Sequence, residues 1–222
     1  MSFNTILLAV ESILLVVTLL MIFVSNRESA RSRELASQMD RTTRILARFE
    51  YFQIVNGALH KARTDVDCLV TGRRTDASDR EALTELLESI KAAVHRGVKI
   101  RYLLPKLQDR LFMGYKYYSA GAEVRYASGF VAHSLRFVIA DRSSVIIATP
   151  QSTGVDEATR KGYLLASDEL ALILEDHFET HWKQAVDLKD YASDVINETG
   201  LSLDQLAQEL EIASSELNRI LG

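Results

Sequence analysis

The chain has 222 residues, a formal net charge of −4 at pH 7 and an isoelectric point of about 5.8. This mild acidity gives no general support for nucleic-acid binding, which depends on neutralising phosphates. The single cysteine, Cys68, excludes an internal disulfide and agrees with a reducing compartment. Because Cys68 lies in a short apolar run, we expect a buried, unreactive thiol.

The first element is an apolar segment at residues 5–24, interrupted only by Thr5, Glu11, Ser12 and Thr18. Twenty helical residues span about 30 Å, the thickness of the hydrocarbon core of a bilayer. No basic residue precedes the segment, and no small-residue cleavage site follows it, which favours an uncleaved transmembrane anchor over residues 1–26. The arginines that follow it predict a single-pass protein of the cell membrane with its C-terminal domain in the cytoplasm. They are Arg27, Arg31, Arg33, Arg41, Arg44 and Arg48.

Residues 27–49 form the second segment, which we interpret as a helical tether continuing as helix towards residue 64. Its apolar positions alternate spacings of four and three, as in a short coiled-coil seam. They are Leu35, Met39, Thr42, Leu46 and Phe49. The seam is barely two heptads long, so two interpretations remain open: dimerisation, or an amphipathic helix packed on its own domain.

Residues 50–186 alternate between strand-like and helix-like patterns. Apolar runs predict strands at 65–72, 98–105, 122–127, 135–141, 144–149 and 161–167. Helical periodicity predicts helices at 80–97, 106–121 and 169–186. This order predicts an α/β domain in which helices flank a mixed sheet.

This domain resembles one half-unit of the phospholipase D superfamily. The resemblance rests on the order of its elements and on the segments GVKIRYLLP (97–105) and AGAEVRY (120–126), followed by a late helix with Phe178-x-x-x-Trp182. It implies a phospholipase D-like fold. Small membrane-anchored members with one signature are homodimeric phosphodiesterases and nucleases, so the resemblance also implies a homodimer.

The active signature of that family is H-x-K-x-x-x-x-D, followed by G-S-x-N. Its histidine is the nucleophile. Alignment on Asp141 keeps the spacing but changes the residues. Arg136 then takes the lysine position, Ser134 the histidine position, Ala148-Thr149 the Gly-Ser position and Gln151 the asparagine position.

The only imidazole close to this signature is His133, one residue before the expected position. Side chains alternate faces along a strand, so Ser134 and Arg136 share a face while His133 points away, unless a bulge intervenes. Ser134 has no adjacent general base in the motif. We therefore expect no catalysis, and the alternative is a homodimeric phosphodiesterase that uses His133. The candidate catalytic residues are His133, Ser134, Arg136 and Asp141.

Anion binding is a second expectation at this place. Arg136, Thr149 and Gln151 could contribute, together with Arg73 and Arg74 in the first strand-to-helix loop. The competing interpretation is a solvated loop in which Ser78 or Asp79 caps the next helix. No cofactor and no metal are expected, because His177 and His181, four residues apart, have no further ligand nearby in sequence.

Residues 187–222 form a small helical segment with three short helical patterns. Residues 203–221 weakly resemble a helix-turn-helix with Glu211 in the turn. The segment has eight carboxylates and two basic side chains, which argues against DNA as a partner. We interpret it as a bundle that packs on the domain or docks a protein partner.

The combined expectation is a membrane-anchored, cytoplasm-facing phospholipase D-like protein that acts as a binding, scaffolding or regulatory module. It would contact the lipid bilayer and form a homodimer. The alternatives are the phosphodiesterase described above and a membrane-tethered transcriptional regulator.

Overall fold

A computed structural model describes residues 44–46, 48–75, 79–128, 135–150 and 159–222. Within these ranges the strands form one mixed eight-stranded sheet in the order β1-β7-β6-β5-β2-β3-β4-β8. β2, β3 and β4 are parallel to one another, and the remaining pairings are antiparallel. The strands are β1 (Arg44–Leu46), β2 (Asp65–Leu69), β3 (Lys99–Pro105), β4 (Glu123–Ala127), β5 (Arg136–Ala140), β6 (Ser144–Pro150), β7 (Thr159–Ala166) and β8 (Val186–Asp187).

Helices cover both faces of the sheet. They are α1 (Arg48–Lys61), α2 (Arg80–His95), α3 (Leu111–Ser119), α4 (Asp168–Trp182), α5 (Leu188–Thr199), α6 (Leu203–Leu210) and α7 (Ser214–Leu221), with a 3-10 turn at Gln108–Arg110. Helix α4 begins where the Ser167 hydroxyl accepts the Leu170 N–H at 3.2 Å. Helix α6 begins with a capping box formed by Ser202 and Gln205. The predicted α/β fold with a mixed, helix-flanked sheet is confirmed.

The alternation of side chains along each strand divides the core between two faces. On β2, Val66 and Cys68 join the larger cluster, while Leu69 joins the smaller one. We call the side of the larger cluster the first face, which is covered by α1, α2, α3 and the C-terminal helices. The second face is covered by α4, through residues that include Phe178 and Trp182. Cys68 is buried, and burial raises the pKa of its thiol, which confirms the expected unreactive cysteine.

The C-terminal helices pack on the domain and share the core of its first face, through Leu188, Val195, Leu206, Leu210 and Leu217. Polar contacts add to this packing. The ammonium of Lys106 lies 2.9 Å from the Asp194 carboxylate, and the Tyr115 hydroxyl donates to Glu216 at 2.6 Å. The three helical patterns of this segment are confirmed, whereas docking of a protein partner remains a prediction.

Two segments that we predicted as helix contain strand residues instead. Residues 44–46, which we expected to continue a helix, form β1 because their backbone pairs with Gly162–Leu164 of β7. The last domain helix ends at Trp182 rather than at residue 186, since Val186 and Asp187 pair with β4. In both places pairing with a neighbouring strand outweighs local helix propensity.

The predicted membrane anchor, residues 1–26, lies outside the described residues, as does the tether up to residue 43. Among the residues that are described, no helix combines the length and apolar character needed to cross a membrane.

Candidate functional site

A cleft with a volume of about 120 Å³ opens on the first face of the sheet, just beyond the carboxyl end of β2. Ligands of open α/β sheets commonly bind outside the carboxyl ends of strands. Helix α1 contributes one wall, the segment 70–75 a second, and the start of α2 a third. Arg136 and Val138 of β5 also line the cleft.

Arg136 is the buried cation of this cleft. It opens β5, pairs in register with Ala148 of β6, and lies on the same face as Val138. Only 3% of its surface is exposed. A buried guanidinium is stable only when polar groups or an anion compensate its charge. Arg136, which takes the lysine position of the signature, thus lies at the first residue of β5.

Three tyrosines surround the same space, and sequence reasoning missed all of them. Tyr51 comes from α1, Tyr102 from β3 and Tyr117 from α3. The rings of Tyr102 and Tyr117 stack with centroids 4.0 Å apart. Burial raises the pKa of each tyrosine, and for Tyr51 the charge of Arg136 partly opposes the shift. The cleft is thus lined by neutral tyrosines beside a permanent positive charge.

Arg73 and Arg74 line the cleft together with Arg136, so the fold brings the three predicted anion-binding arginines to one place. Arg74 also reaches out of the cleft. Its guanidinium donates to the Glu209 carbonyl at 2.7 Å and stacks on the Phe112 ring, 3.8 Å from the centroid. Asp79 is the N-cap residue of α2, but its side chain makes no capping hydrogen bond.

Asp141 lies at the opposite end of β5 and is not part of the cleft lining. Its carboxylate accepts hydrogen bonds from the backbone N–H of Arg63 at 3.0 Å and of Thr64 at 2.9 Å, and from the Thr64 hydroxyl at 2.9 Å. Partial burial favours the neutral acid, but these bonds outweigh it and lower the pKa of Asp141. Asp141 therefore ties the end of β5 to the start of β2.

The remaining signature positions are described only in part. His133, Ser134 and Gln151 lie outside the described residues. Thr149 is placed by its backbone alone, which pairs with Lys161 of β7.

No group of three or more His, Cys, Asp or Glu side chains suited to a metal ion is found in the described ranges. His177 and His181 lie on α4 with their ring centroids 4.7 Å apart. Burial lowers the pKa of His177, and the neighbouring His181 lowers it further.

A buried ion cluster on the second face was also missed. Asp67 of β2 and Arg101 of β3 are partners in the sheet register. The Arg101 guanidinium contacts Asp67 at 2.6 and 2.8 Å and Glu179 of α4 at 2.6 Å. Burial raises the pKa of Asp67, although Arg101 opposes this shift. The sequence did offer a signal for this cluster, because Asp67 and Arg101 are charged residues within two strands that are otherwise mostly apolar.

The chain has a phospholipase D-like fold. It is similar to Nuc from Salmonella typhimurium, a phospholipase D family member, with 16% identity, a TM-score of 0.50, and coverage of 65% of this chain and 96% of that one. It is also similar to NucT from Helicobacter pylori, with 13% identity, a TM-score of 0.49, and coverage of 65% of this chain and 98% of that one. A third similar structure is the archaeal chromatin protein TrmBL2, with 17% identity, a TM-score of 0.45, and coverage of 72% of this chain and 62% of that one. At such identity the likeness to Nuc shows the fold alone.

The sequence comparison gives the family. Residues 77–189, just over half of the chain, match the family described as transcriptional regulator TrmB, EBD N-terminal subdomain. The chain belongs to this family. The matched range includes Asp79 and Arg136 but not Arg73, Arg74 or the helix-turn-helix-like residues 203–221. No curated protein sequence matches the chain.

Proposed function

We propose that this protein is a catalytically inactive, ligand-binding regulatory module whose cleft holds a small anionic group on Arg136. The observation that carries the proposal is the position of Arg136, which is buried and lines a cleft with three neutral tyrosines. The arginine is permanently charged and presents a planar fork of N–H donors that matches a phosphate or a carboxylate.

The size and polarity of the cleft support a small anion. A volume of about 120 Å³ is well below the roughly 300–1,000 Å³ of sites for drug-sized ligands. The tyrosine hydroxyls can donate hydrogen bonds without adding charge. Arg73, on the rim, adds a second cation. Together these groups suit a phosphate or carboxylate carried on a small molecule.

The absence of catalysis is proposed from the sequence. Serine stands at the nucleophile position of the signature, and the alternation expected from the sequence would put His133 on the other face from Arg136. A serine hydroxyl needs an adjacent base, and the motif supplies none on that face. The family description as a transcriptional regulator supports a regulatory role for the anion rather than its hydrolysis.

The setting of the module is also proposed. Residues 5–24 would anchor it in the cell membrane, and the arginines that follow would keep residues 27–222 in the cytoplasm. Anchoring concentrates the chain in two dimensions, which favours a homodimer. Light scattering of the detergent-solubilised chain tests the dimer, and protease protection in oriented vesicles tests the location of the domain.

Binding of inorganic phosphate to the full chain in detergent tests the ligand proposal. Arg136→Gln removes the charge, and loss of one charged hydrogen-bonding partner should weaken phosphate binding about 10- to 100-fold. Arg136→Lys should retain part of the affinity. The matched control is Arg142→Gln, an exposed arginine whose guanidinium pairs with Glu175 at 2.8 Å outside the cleft.

Equal phosphate affinity in wild type and Arg136→Gln, with both proteins folded by circular dichroism, would refute the ligand proposal. Hydrolysis of a phosphodiester reporter that disappears in His133→Ala would establish the phosphodiesterase alternative instead. Salt-dependent gel shifts with genomic DNA that disappear on truncation after residue 200 would favour the transcriptional alternative.

A further inference from the structure

The segment 70–75, which we call the wall segment, separates two cavities. On one side it lines the Arg136 cleft. On the other it faces a cavity that the 3-10 turn, the start of α3 and the end of α6 complete. Arg73, Arg74 and Thr75 line both cavities. A change on the cleft side therefore has a direct structural route to the C-terminal helices.

Arg74 holds the end of α6. The last four carbonyls of a helix have no partner within the helix, and the Glu209 carbonyl is one of them. Arg74 satisfies this carbonyl at 2.7 Å, and its guanidinium also lies 3.7 Å from the Glu211 carboxylate. A cation at a helix C-terminus is further favoured by the helix dipole. Arg74 thus caps α6 from another part of the fold.

Gly72 fixes the wall segment at its base. It has a φ of 61°, and a Cβ at this position would lie 2.0 Å from Leu104 Cδ2. The backbone is therefore pressed against β3 and cannot retreat towards the sheet. Gly72 therefore fixes the point at which Arg73 and Arg74 leave the sheet.

We infer that an anion in the cleft and the C-terminus of α6 compete for Arg74, so that anion binding loosens the α6–α7 hairpin. The inference rests on the proposed anion site and concerns its regulation. A charged acceptor forms a stronger hydrogen bond with arginine than a neutral carbonyl does. When Arg74 turns to the anion, the Glu209 carbonyl and the turn at Glu211 lose their partner.

Hydrogen–deuterium exchange of the full chain in detergent, with and without saturating inorganic phosphate, tests the coupling. In the wild type, phosphate should slow exchange at residues 51–55 and 136–138, which reports binding. It should also speed exchange at residues 203–221 about 5-fold or more. In Arg74→Ala, residues 203–221 should exchange fast without phosphate and should not respond to it, even when phosphate is raised until the cleft is protected.

Lys106→Ala is the matched control. It removes a contact of the same bundle, the 2.9 Å pair with Asp194, but lies outside the wall segment and the cleft lining. Residues 203–221 of this variant should still respond to phosphate. Cleft protection without any response of the hairpin, or a response that survives in Arg74→Ala, would overturn the coupling alone. Absence of cleft protection in the wild type would overturn the proposed function as well.

Discussion

Asp141 offers a sharp test of how the signature strand is held. Its carboxylate accepts three hydrogen bonds of 2.9–3.0 Å from Arg63 and Thr64. Its backbone also has a φ of 50°, a left-handed conformation that aspartate and asparagine tolerate better than alanine. Three substitutions of Asp141 separate the effect of the hydrogen bonds from that of the backbone conformation. Asn keeps one acceptor oxygen and tolerates the left-handed conformation. Gly tolerates the conformation but has no acceptor, and Ala has no acceptor and does not tolerate the conformation well.

The magnitudes follow from these contacts. A side-chain acceptor that satisfies exposed backbone N–H groups is worth about 1 kcal/mol per bond, as at helix N-caps, and solvent screening discounts its charge. We expect Asp141→Asn to lower the free energy of unfolding by about 1 kcal/mol and Asp141→Gly by about 2 kcal/mol. Asp141→Ala should cost about 3 kcal/mol, because the left-handed conformation adds roughly 1 kcal/mol.

Urea unfolding of the full chain in detergent, followed by circular dichroism, measures the series. Because the folded-state pKa of Asp141 is lowered, its contribution is fully present above the unfolded pKa of about 3.9 and is lost as pH falls through the folded value. The difference between wild type and Asp141→Asn should therefore be constant near neutrality and shrink in acid.

Glu85→Gln, at an exposed position of α2, should leave the free energy of unfolding unchanged and serves as the control. The reasoning fails if Asp141→Gly is no more stable than Asp141→Ala, or if the difference between wild type and Asp141→Asn grows on acidification.

Further substitutions probe the two faces of the sheet and the C-terminal turn. Arg101→Met leaves the buried Asp67 without its cation and should lower the free energy of unfolding by about 3–5 kcal/mol. Adding Asp67→Asn should recover much of this loss. Additive effects of the two substitutions in a urea double-mutant cycle would contradict this reasoning. Gly114→Ala places a Cβ 1.8 Å from the Tyr126 hydroxyl and should cost about 1–3 kcal/mol. Tyr126→Phe removes that buried hydroxyl, which has no hydrogen-bond partner, so the double variant should unfold at higher urea than Gly114→Ala alone. Glu211→Gly removes the cost of a left-handed backbone conformation with a φ of 58°, worth up to about 1 kcal/mol, but also the exposed pair with Arg74. It should therefore be more stable than Glu211→Ala, which loses the same pair and keeps the strain, and equal thermal stability of the two variants would contradict the assignment of strain.

The main strands and helices could be predicted because their apolar patterns reflect burial directly. β2 and β3 are apolar runs buried on both faces of the sheet. β1 and β8 could not be predicted in this way. β1 has three residues and β8 has two, and each forms an edge of the sheet by pairing with its neighbour, β7 or β4, rather than through its own sequence.

Of the residues that line the cleft, only Arg73, Arg74 and Arg136 were predicted from the sequence as candidate anion-binding residues. Arg136 followed from the spacing of the signature, because that spacing fixes a position on a strand. The tyrosines at 51, 102 and 117 come from three elements far apart in sequence, and each alone is typical of a core aromatic. Only the fold brings them to the cleft that Arg136 also lines.

Several acidic residues of the segment 187–222 contact the domain. Asp194, Glu211 and Glu216 face Lys106, Arg74 and Tyr115 of the domain. Burial and the bond to Glu216 raise the pKa of Tyr115 to about 12, so the tyrosine stays a donor at neutral pH. These acids therefore join the C-terminal helices to the domain, and competition for Arg74 is expected to loosen that packing at the α6–α7 hairpin.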